Sequence, residues 1–340
     1  MIGAAIKKVV EGKNLDRDEM REVFAQVMDG KATDVQKTAL LIALRMKGET
    51  VEEITGAAMA MRERVTPLEV DRDGVVDTCG TGGDGRGTFN ISTVAAIVAA
   101  GAGARVAKHG NRAVSSSCGS ADVLSALGVN IDLDAPRMSQ VMRRAGIAFL
   151  FAPKLHPAMG AVIGVRRELG VRTIFNVLGP LTNPAFARRQ VLGVYSDHLV
   201  DLLARVLASL GAEHALVVHS LDGLDEISIS APTRVAEVRK DDIRSYEITP
   251  EDIGVTRHDL DAIAGGNAEE NAKIALAVLD GEEGARHEIV AANAGAALYV
   301  GGAAKSIREG VTIAREAIRT GKARRKLDEL IEAARSAAAA

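Results

Sequence analysis

Apolar residues recur at helical spacing through the first 70 positions. Asp16-x-x-Glu19 gives a loose capping signal ahead of Met20, Val23, Phe24, Val27 and Met28, and Gly30 stops that helix. Thr33 or Asp34 can cap the next, whose Ala39, Leu40, Leu41, Ala43 and Leu44 lead towards Gly48. Thr50-Val51-Glu52-Glu53 reads as a capping box opening a third helix through Met61. Three or more short helices with apolar faces predict a small bundle.

At Gly74 the pattern changes. Short apolar runs at Val75–Cys79, Arg105–Lys108, Ala148–Phe151, Val191–Tyr195 and Ala215–His219 read as buried strands. Helices are expected at Ser92–Ala100, Ala121–Leu127, Pro157–Leu169 and Leu199–Leu210. From Asn267 the chain reads as largely helical. Ala285–Gly302 is rich in alanine and glycine, as close helix packing requires, and the segment from Ala323 is a charged helix fading into alanines. Alternating strands and helices predict a mostly parallel sheet covered on both faces. The expected class is therefore α/β: a small all-helical domain plus a larger domain with a mostly parallel central sheet flanked by helices.

Composition narrows the function classes. In 340 residues there is no tryptophan and only 3% aromatic content, so the core must be aliphatic and alanine-rich. A net charge of −3 argues against a general nucleic-acid or anionic-membrane surface. No apolar run reaches the roughly 20 residues a bilayer demands, and the N-terminus lacks a signal-peptide pattern, so a cytoplasmic location is expected. Cys79 and Cys118 form no metal or disulfide pattern and read first as small buried hydrophobes.

The basic character is local. Between Asp84 and Asp122 no acidic residue occurs, while Arg86, Arg105, Lys108 and Arg112 stand among glycines and hydroxyls. Such a stretch suits a polyphosphate, because glycines let backbone N–H groups approach oxygens and missing carboxylates remove like-charge repulsion. The loop Gly80-Thr-Gly-Gly-Asp84 follows a strand and precedes a helix whose N-terminus, Asn90–Thr93, adds a favourable dipole. Taken alone it is an ordinary tight turn. It is not a Walker loop, and its formal Gly-x-Gly-x-x-Gly match lacks the acid that a dinucleotide ribose needs, with Lys108 and His109 standing at the next strand end instead. A second loop, Lys108–Ser116, combines a cation, amides and hydroxyls after the next strand, which makes a chance surface loop a poor account of both.

Asp225-Glu226 follows the strand ending at His219. Such pairs are usually solvated turns, but magnesium prefers carboxylates together with substrate phosphate oxygens, and the position at a strand end favours that role. Arg166 and Arg167 follow His156-Pro157; either is by default a surface charge, or a fork for an acceptor carboxylate. No nucleophile elbow and no metal-binding histidine spacing occurs.

Together these motifs resemble the anthranilate phosphoribosyltransferase family. The matching pieces are Asp77–Asp84, Phe89–Thr93, Lys108–Ser116, Gly119–Asp122, Phe151–Pro153 with His156–Ala158, Phe175–Pro184 and Asp225-Glu226, in order over most of the chain. The chain departs at Ser117-Cys118, where many members carry Lys-Ser, and at Gly160, where a lysine is frequent. The resemblance implies a nucleoside phosphorylase-type fold. It implies transfer of phosphoribose from 5-phosphoribosyl-1-pyrophosphate to anthranilate in tryptophan biosynthesis, and two Mg2+ ions per active site. It also implies a homodimer joined through the helical domain, residues 1–70 with about 166–185, the rest (71–165 and 186–340) binding the donor. By the same resemblance the donor would contact Gly80, Gly83, Asp84, Thr88, Asn90, Ile91, Ser92, Thr93, Lys108, His109, Gly110, Asn111, Arg112, Ala113, Val114, Ser115, Ser116 and Ser120. Anthranilate would contact Gly80, Asn111, His156 and Arg166, and magnesium Ser92, Asp225 and Glu226. No covalent nucleophile is expected; Lys108, Asn111 and Arg112 would position the donor. The rival expectations are a pyrimidine nucleoside phosphorylase and a non-catalytic relative that binds nucleic acid; neither nucleic acid nor membrane is an expected partner.

Overall fold

The leading helices are α1 (Ile2–Val10), α2 (Arg17–Met28), α3 (Asp34–Lys47) and α4 (Val51–Arg62) in a computed structural model that describes residues 1–113 and 117–339. Val114, Ser115 and Ser116, expected in the donor site, lie outside the described residues. Full capping boxes open α2 (Asp16 with Glu19), α3 (Thr33 with Gln36) and α4 (Thr50 with Glu53). Thr33, not Asp34, is the cap of α3. Glu53 does more than cap: fully buried, it also accepts the Leu15 amide at 3.0 Å and the Lys47 ammonium at 2.9 Å. Its carboxylate thus ties the bundle together while its charge is paired.

The sheet has the order β3-β2-β1-β4-β5-β6-β7. Its strands are β1 (Val75–Gly80), β2 (Arg105–Gly110), β3 (Ile147–Phe151), β4 (Arg189–Gly193), β5 (His214–Ser220), β6 (Thr233–Arg239) and β7 (Asp242–Ile248). The first five run parallel. β6 and β7 add an antiparallel hairpin at one edge, an element the periodicity did not expose because β7 is largely solvated and polar. Around the sheet lie α5 (Ile91–Gly101), α6 (Ser120–Ala126), α7 (Ala135–Ala145), α8 (Ala152–Leu155), α9 (Ile163–Leu169), α10 (Phe175–Leu178) and α11 (Leu199–Ser209). The chain closes with α12 (Ala268–Leu279), α13 (Ala285–Gly301), α14 (Ile307–Arg319) and α15 (Lys322–Ala339).

Two expectations change. The helix anticipated over Pro157–Leu169 is broken: a 3-10 turn covers Pro157–Ala161, and Val162 (φ −126°, ψ −12°) interrupts before α9. The strand anticipated at Val191–Tyr195 ends at Gly193, and the Tyr195 amide instead donates to Thr81 Oγ1 at 3.0 Å.

Each face of the sheet has its own aliphatic core. One side packs Val76, Val106, Val191 and Val218 against α5, α13, α14 and α15. The other packs Cys79, Leu192, Val217 and Val238 against α11, the leading helices and residues 162–181. Phe24 of α2 meets Phe175 of α10 at 5.4 Å between centroids. The parallel strand ends therefore face a cleft walled by the helical bundle, as ligand sites in such sheets require.

At the opposite end of β5 and β6, Glu237 is held by His214, Tyr299, Tyr246 and Arg239 at 2.8–2.9 Å. Burial pushes its carboxyl up, but these four donors outweigh it and hold the group down near a pKa of about 2. A depressed carboxyl contributes stability above its unfolded pKa and loses it as pH falls towards the folded value. Glu237→Gln should therefore lower the melting temperature at pH 7. That deficit should shrink as pH falls from 4.5 towards 2, where wild type loses the advantage of the charge; a deficit independent of pH would show that the charge is not what stabilises.

Candidate functional site

The site starts from glycines at strand ends. A Cβ built on Gly193, the last residue of β4, would overlap the backbone carbonyl of Asp225, and one on Gly80, the last of β1, would overlap the Asp225 carboxylate. Only glycine lets the acid-bearing loop after β5 lie directly on both strands. Asp225 Oδ2 accepts the Gly82 amide at 2.9 Å, and Glu226 Oε1 accepts the Ser92 amide at 3.1 Å. Gly82 and Gly83 take positive φ (65° and 79°), turning the first loop back over the acids.

Beneath them Lys108 is almost fully buried; its ammonium donates to the Thr78 carbonyl and to Ser92 Oγ. Burial pushes its pKa down, against the pull of Asp77, Glu226 and Asp225. Asp225 and Glu226 keep a little accessible surface but are surrounded by protein on most sides. Burial raises both carboxyls well above the usual range; Asp84 adds to this at Asp225, and Asp225 adds to it at Glu226. Three carboxylates and a lysine thus converge where the first loop, α5, β2 and the β5–β6 loop meet. Among the described residues no group of three or more His, Cys, Asp or Glu side chains is arranged as a complete metal cage. The donor set nevertheless suits a hard cation that keeps waters and takes further oxygens from a phosphorylated ligand, because uncompensated carboxylate crowding is what such a cation relieves.

The N-terminus of α5 differs from the simple anion cradle that the sequence suggests. Its first amides are already engaged: Ile91 with the Phe89 carbonyl, Ser92 with Glu226, and Thr93 and Val94 with the Asn90 carbonyl. Asn90 itself is held by side chains, donating to the Cys118 carbonyl and accepting from Asn271 and the Cys118 thiol. Thr88 is stitched to Ala264 by an isolated bridge.

In the second loop, Arg112 is not a free cation. It pairs with Asp122 at 2.8 Å, whose carboxylate also accepts the Ala113 and Gly119 amides. Asn111 turns its Oδ1 to the Arg112 amide, and its carbonyl accepts Ser120 Oγ and the Ala121 amide. Gly110 ends β2 beside Phe149 and Ser120. His109, buried next to Lys108, donates its backbone amide to Asp77 Oδ1 and faces His156 Nε2 to Nε2 at 3.1 Å. Burial holds both imidazoles neutral, with pKa values lowered to about 3 for His109 and about 4 for His156.

Arg166 is half-buried, sits 5.2 Å above the Phe175 ring and has no side-chain hydrogen-bond or ion-pair partner among the described residues. Burial lowers its pKa. Arg167 is exposed. Arg172, which the sequence did not single out, stacks 4.2 Å from the Tyr195 ring and donates to the Gly83 carbonyl, strapping the first loop to the helical side. Thr78, Asp77, Asn271 and Arg172 all support the site through contacts distant in sequence; Asp77 and Thr78 open the first glycine motif, whereas no local pattern flagged Asn271 or Arg172.

Comparison with known proteins identifies the family. The family described as "Glycosyl transferase family, a/b domain" matches residues 72–324, and "Glycosyl transferase family, helical bundle domain" matches residues 4–65. An anthranilate phosphoribosyltransferase of Anaeromyxobacter sp. (strain K) is 57% identical over 98% of each chain, and one from Acetivibrio thermocellus is 52% identical over 98% of this chain and 96% of its own. The crystal structure of the Thermus thermophilus enzyme superposes with a TM-score of 0.93 at 46% identity, covering 97% of this chain and 99% of that one. The Saccharomyces cerevisiae enzyme in complex with PRPP and Mg gives 0.91 at 28% identity, with 98% of each chain covered. None of these relatives carries a phosphorylase or nucleic-acid-binding name, so both rival expectations lose their ground. The chain belongs to the anthranilate phosphoribosyltransferase family.

Proposed function

We propose that Asp84, Lys108, Asp225 and Glu226, gathered beneath the Gly80–Asp84 loop, form the pyrophosphate and magnesium end of this enzyme's active site. The reaction transfers the phosphoribosyl group of 5-phosphoribosyl-1-pyrophosphate to the amino group of anthranilate, releasing pyrophosphate; it is the second step of tryptophan biosynthesis from chorismate. The observation that carries the site assignment is the convergence of Asp84, Asp225 and Glu226 with the buried Lys108 at the strand ends, where the Gly82 and Ser92 amides hold the acid pair in place. Ser92, Asp225 and Glu226 would hold magnesium, two ions per site in this reading. Magnesium supplies neutralising charge for the pyrophosphate leaving group.

The chain's own residues then position the reactants. Lys108 is aimed by Thr78 and Ser92 and faces the donor from below. Gly80 and Gly83, with Asn90 to Thr93, line the donor's path, and Arg112 reaches phosphate by exchanging Asp122 for it. Arg166, desolvated and unpaired, suits the anthranilate carboxylate. His156, neutral and held by His109, lines the acceptor side with Asn111. Anthranilate's amine is neutral at physiological pH, so orientation and leaving-group stabilisation suffice without a covalent nucleophile. Among the described residues no helix is long and apolar enough to cross a membrane; the proposal places the enzyme in the cytoplasm.

The proposal also makes the helical domain, residues 1–70 with about 166–185, the seat of a homodimer. Val35 and Met46 of α3 are 79% and 83% exposed and stand on one stripe of that helix. Val10 and Ile163 are exposed on α1 and α9, both of which pack against α3. Such apolar exposure marks an interaction face.

Purified protein mixed with Mg2+, 5-phosphoribosyl-1-pyrophosphate and anthranilate should quench anthranilate fluorescence only when magnesium is present; a folded protein giving no quench would refute the assignment. Asp225→Asn with Glu226→Gln should cut kcat/KM for the donor by at least about a hundredfold with the fold intact, and an unchanged magnesium titration would remove the pair from the metal site. Arg166→Ala should raise the KM for anthranilate by about tenfold or more; a rise in donor KM instead would move Arg166 to the phosphate site. Val35→Glu with Met46→Glu should yield monomers by light scattering, and an intact dimer would place the interface elsewhere.

A further inference from the structure

The loop that carries the acid pair has two supports. One is local. Asp222 accepts the hydroxyls of Ser228 and Ser230 and the Leu224 amide, and the Ser228 amide donates to Thr233 Oγ1, which closes the loop on itself. The other links it to the core. Asn293, in the middle of α13, accepts the Ile227 amide on Oδ1 at 3.0 Å and donates from Nδ2 to the Ile227 carbonyl at 3.0 Å. One side-chain amide thus occupies both backbone groups of the residue that follows Glu226, as a strand partner would. The same Nδ2 also reaches the Ile289 carbonyl at 2.9 Å, so every polar atom of the side chain is used.

Asn293 is an isolated polar residue in a buried run, Ile289-Val-Ala-Ala-Asn-Ala-Gly-Ala-Ala-Leu298, and is itself only 3% exposed. Its helix cannot shift easily: the Gly295 backbone lies against Gly310 and Val311 of α14, and α13 packs on α5. α5 in turn presents the Ser92 amide to Glu226. A closed circuit therefore runs from α13 through Asn293, Ile227, Glu226 and Ser92 to α5 and back across the α5–α13 packing.

We propose that Asn293 is a positioning residue for the magnesium-binding acid pair, its two-bond grip on Ile227 fixing Asp225 and Glu226 against Ser92 and Lys108. The inference rests on the acid-pair assignment above. Outer groups that orient metal ligands typically carry roughly 10- to 100-fold of the metal affinity. A buried amide that merely filled space would not be matched to both backbone groups of one loop residue.

The test compares Asn293→Leu, which keeps the branched shape and removes both bonds, with Leu298→Ala, a buried change on the same helix. Two readouts are followed across a Mg2+ titration at fixed donor: the rise in melting temperature produced by 5-phosphoribosyl-1-pyrophosphate, and turnover. Asn293→Leu should move the magnesium midpoint of both upward by about tenfold, with the KM for anthranilate unchanged. Leu298→Ala should lower the melting temperature and leave the midpoint in place. If Asn293→Leu only destabilises, like Leu298→Ala, Asn293 is a core residue and the proposal falls. Should Asn293→Leu not fold, Asn293→Ser, too short to bridge both groups of Ile227, is read against the same two outcomes. If Asp225→Asn with Glu226→Gln leaves the midpoint unmoved, the acid-pair assignment fails and this inference with it; if that variant moves it and Asn293→Leu does not, Asn293 alone is wrong.

Discussion

The confinement of carboxylates at the strand ends is the constraint on which the rest of the site depends. Asp225 rests on two glycines that no other residue could replace, because a side chain at Gly80 or Gly193 would occupy the acid's own volume. Once there, Asp225 lies beside Asp84 and Glu226, and burial denies these groups the water that would screen them. The structure answers with the Gly82 and Ser92 amides, which donate to Asp225 and Glu226, and with the nearby positive charge of Lys108. These offset part of the repulsion, and the carboxyls of Asp225 and Glu226 remain raised. The local charge imbalance is thus maintained by packing, and it is the feature that gives the cleft its chemistry.

That packing comes from both layers of the molecule. α5 and α13, buried on almost every side, fix the floor from one face of the sheet. From the other face come the first helices and residues 162–181, whose core is continuous with α11 and with Cys79, Leu192 and Val217. Arg172 crosses between them, its carbonyl held by Arg45 of α3 and its guanidinium on the Gly83 carbonyl. The glycine loop is therefore attached to the bundle as well as to the sheet, and the cleft between the two has polar groups contributed by both walls. A neutral, interlocked histidine pair and an unpaired guanidinium lie towards the bundle, while the carboxylates and lysine lie at the strand ends. This separation suits an acceptor with one carboxylate and a donor with many phosphate oxygens.

Local sequence determined a good deal. Capping residues at Asp16, Thr33 and Thr50 place three helices because a cap acts on the next three residues and needs nothing distant. Apolar runs place the parallel strands, since burial on both faces leaves a signature within five or six residues. Loops that end those strands in glycine, lysine and hydroxyls, with an acid pair after β5, announce a phosphorylated ligand by composition alone. Only the tertiary structure decided how these parts are used. It engages the first amides of α5 within the protein, pairs Arg112 with Asp122, breaks the helix after His156 at Val162 and adds the β6–β7 hairpin at the sheet edge. It also sets Asn293 and Arg172 on backbone groups far away in sequence. The reason is the range of the forces involved: periodicity and capping record contacts within one or two turns, whereas hydrogen-bond partners across a sheet face are chosen by packing between segments that no local pattern connects.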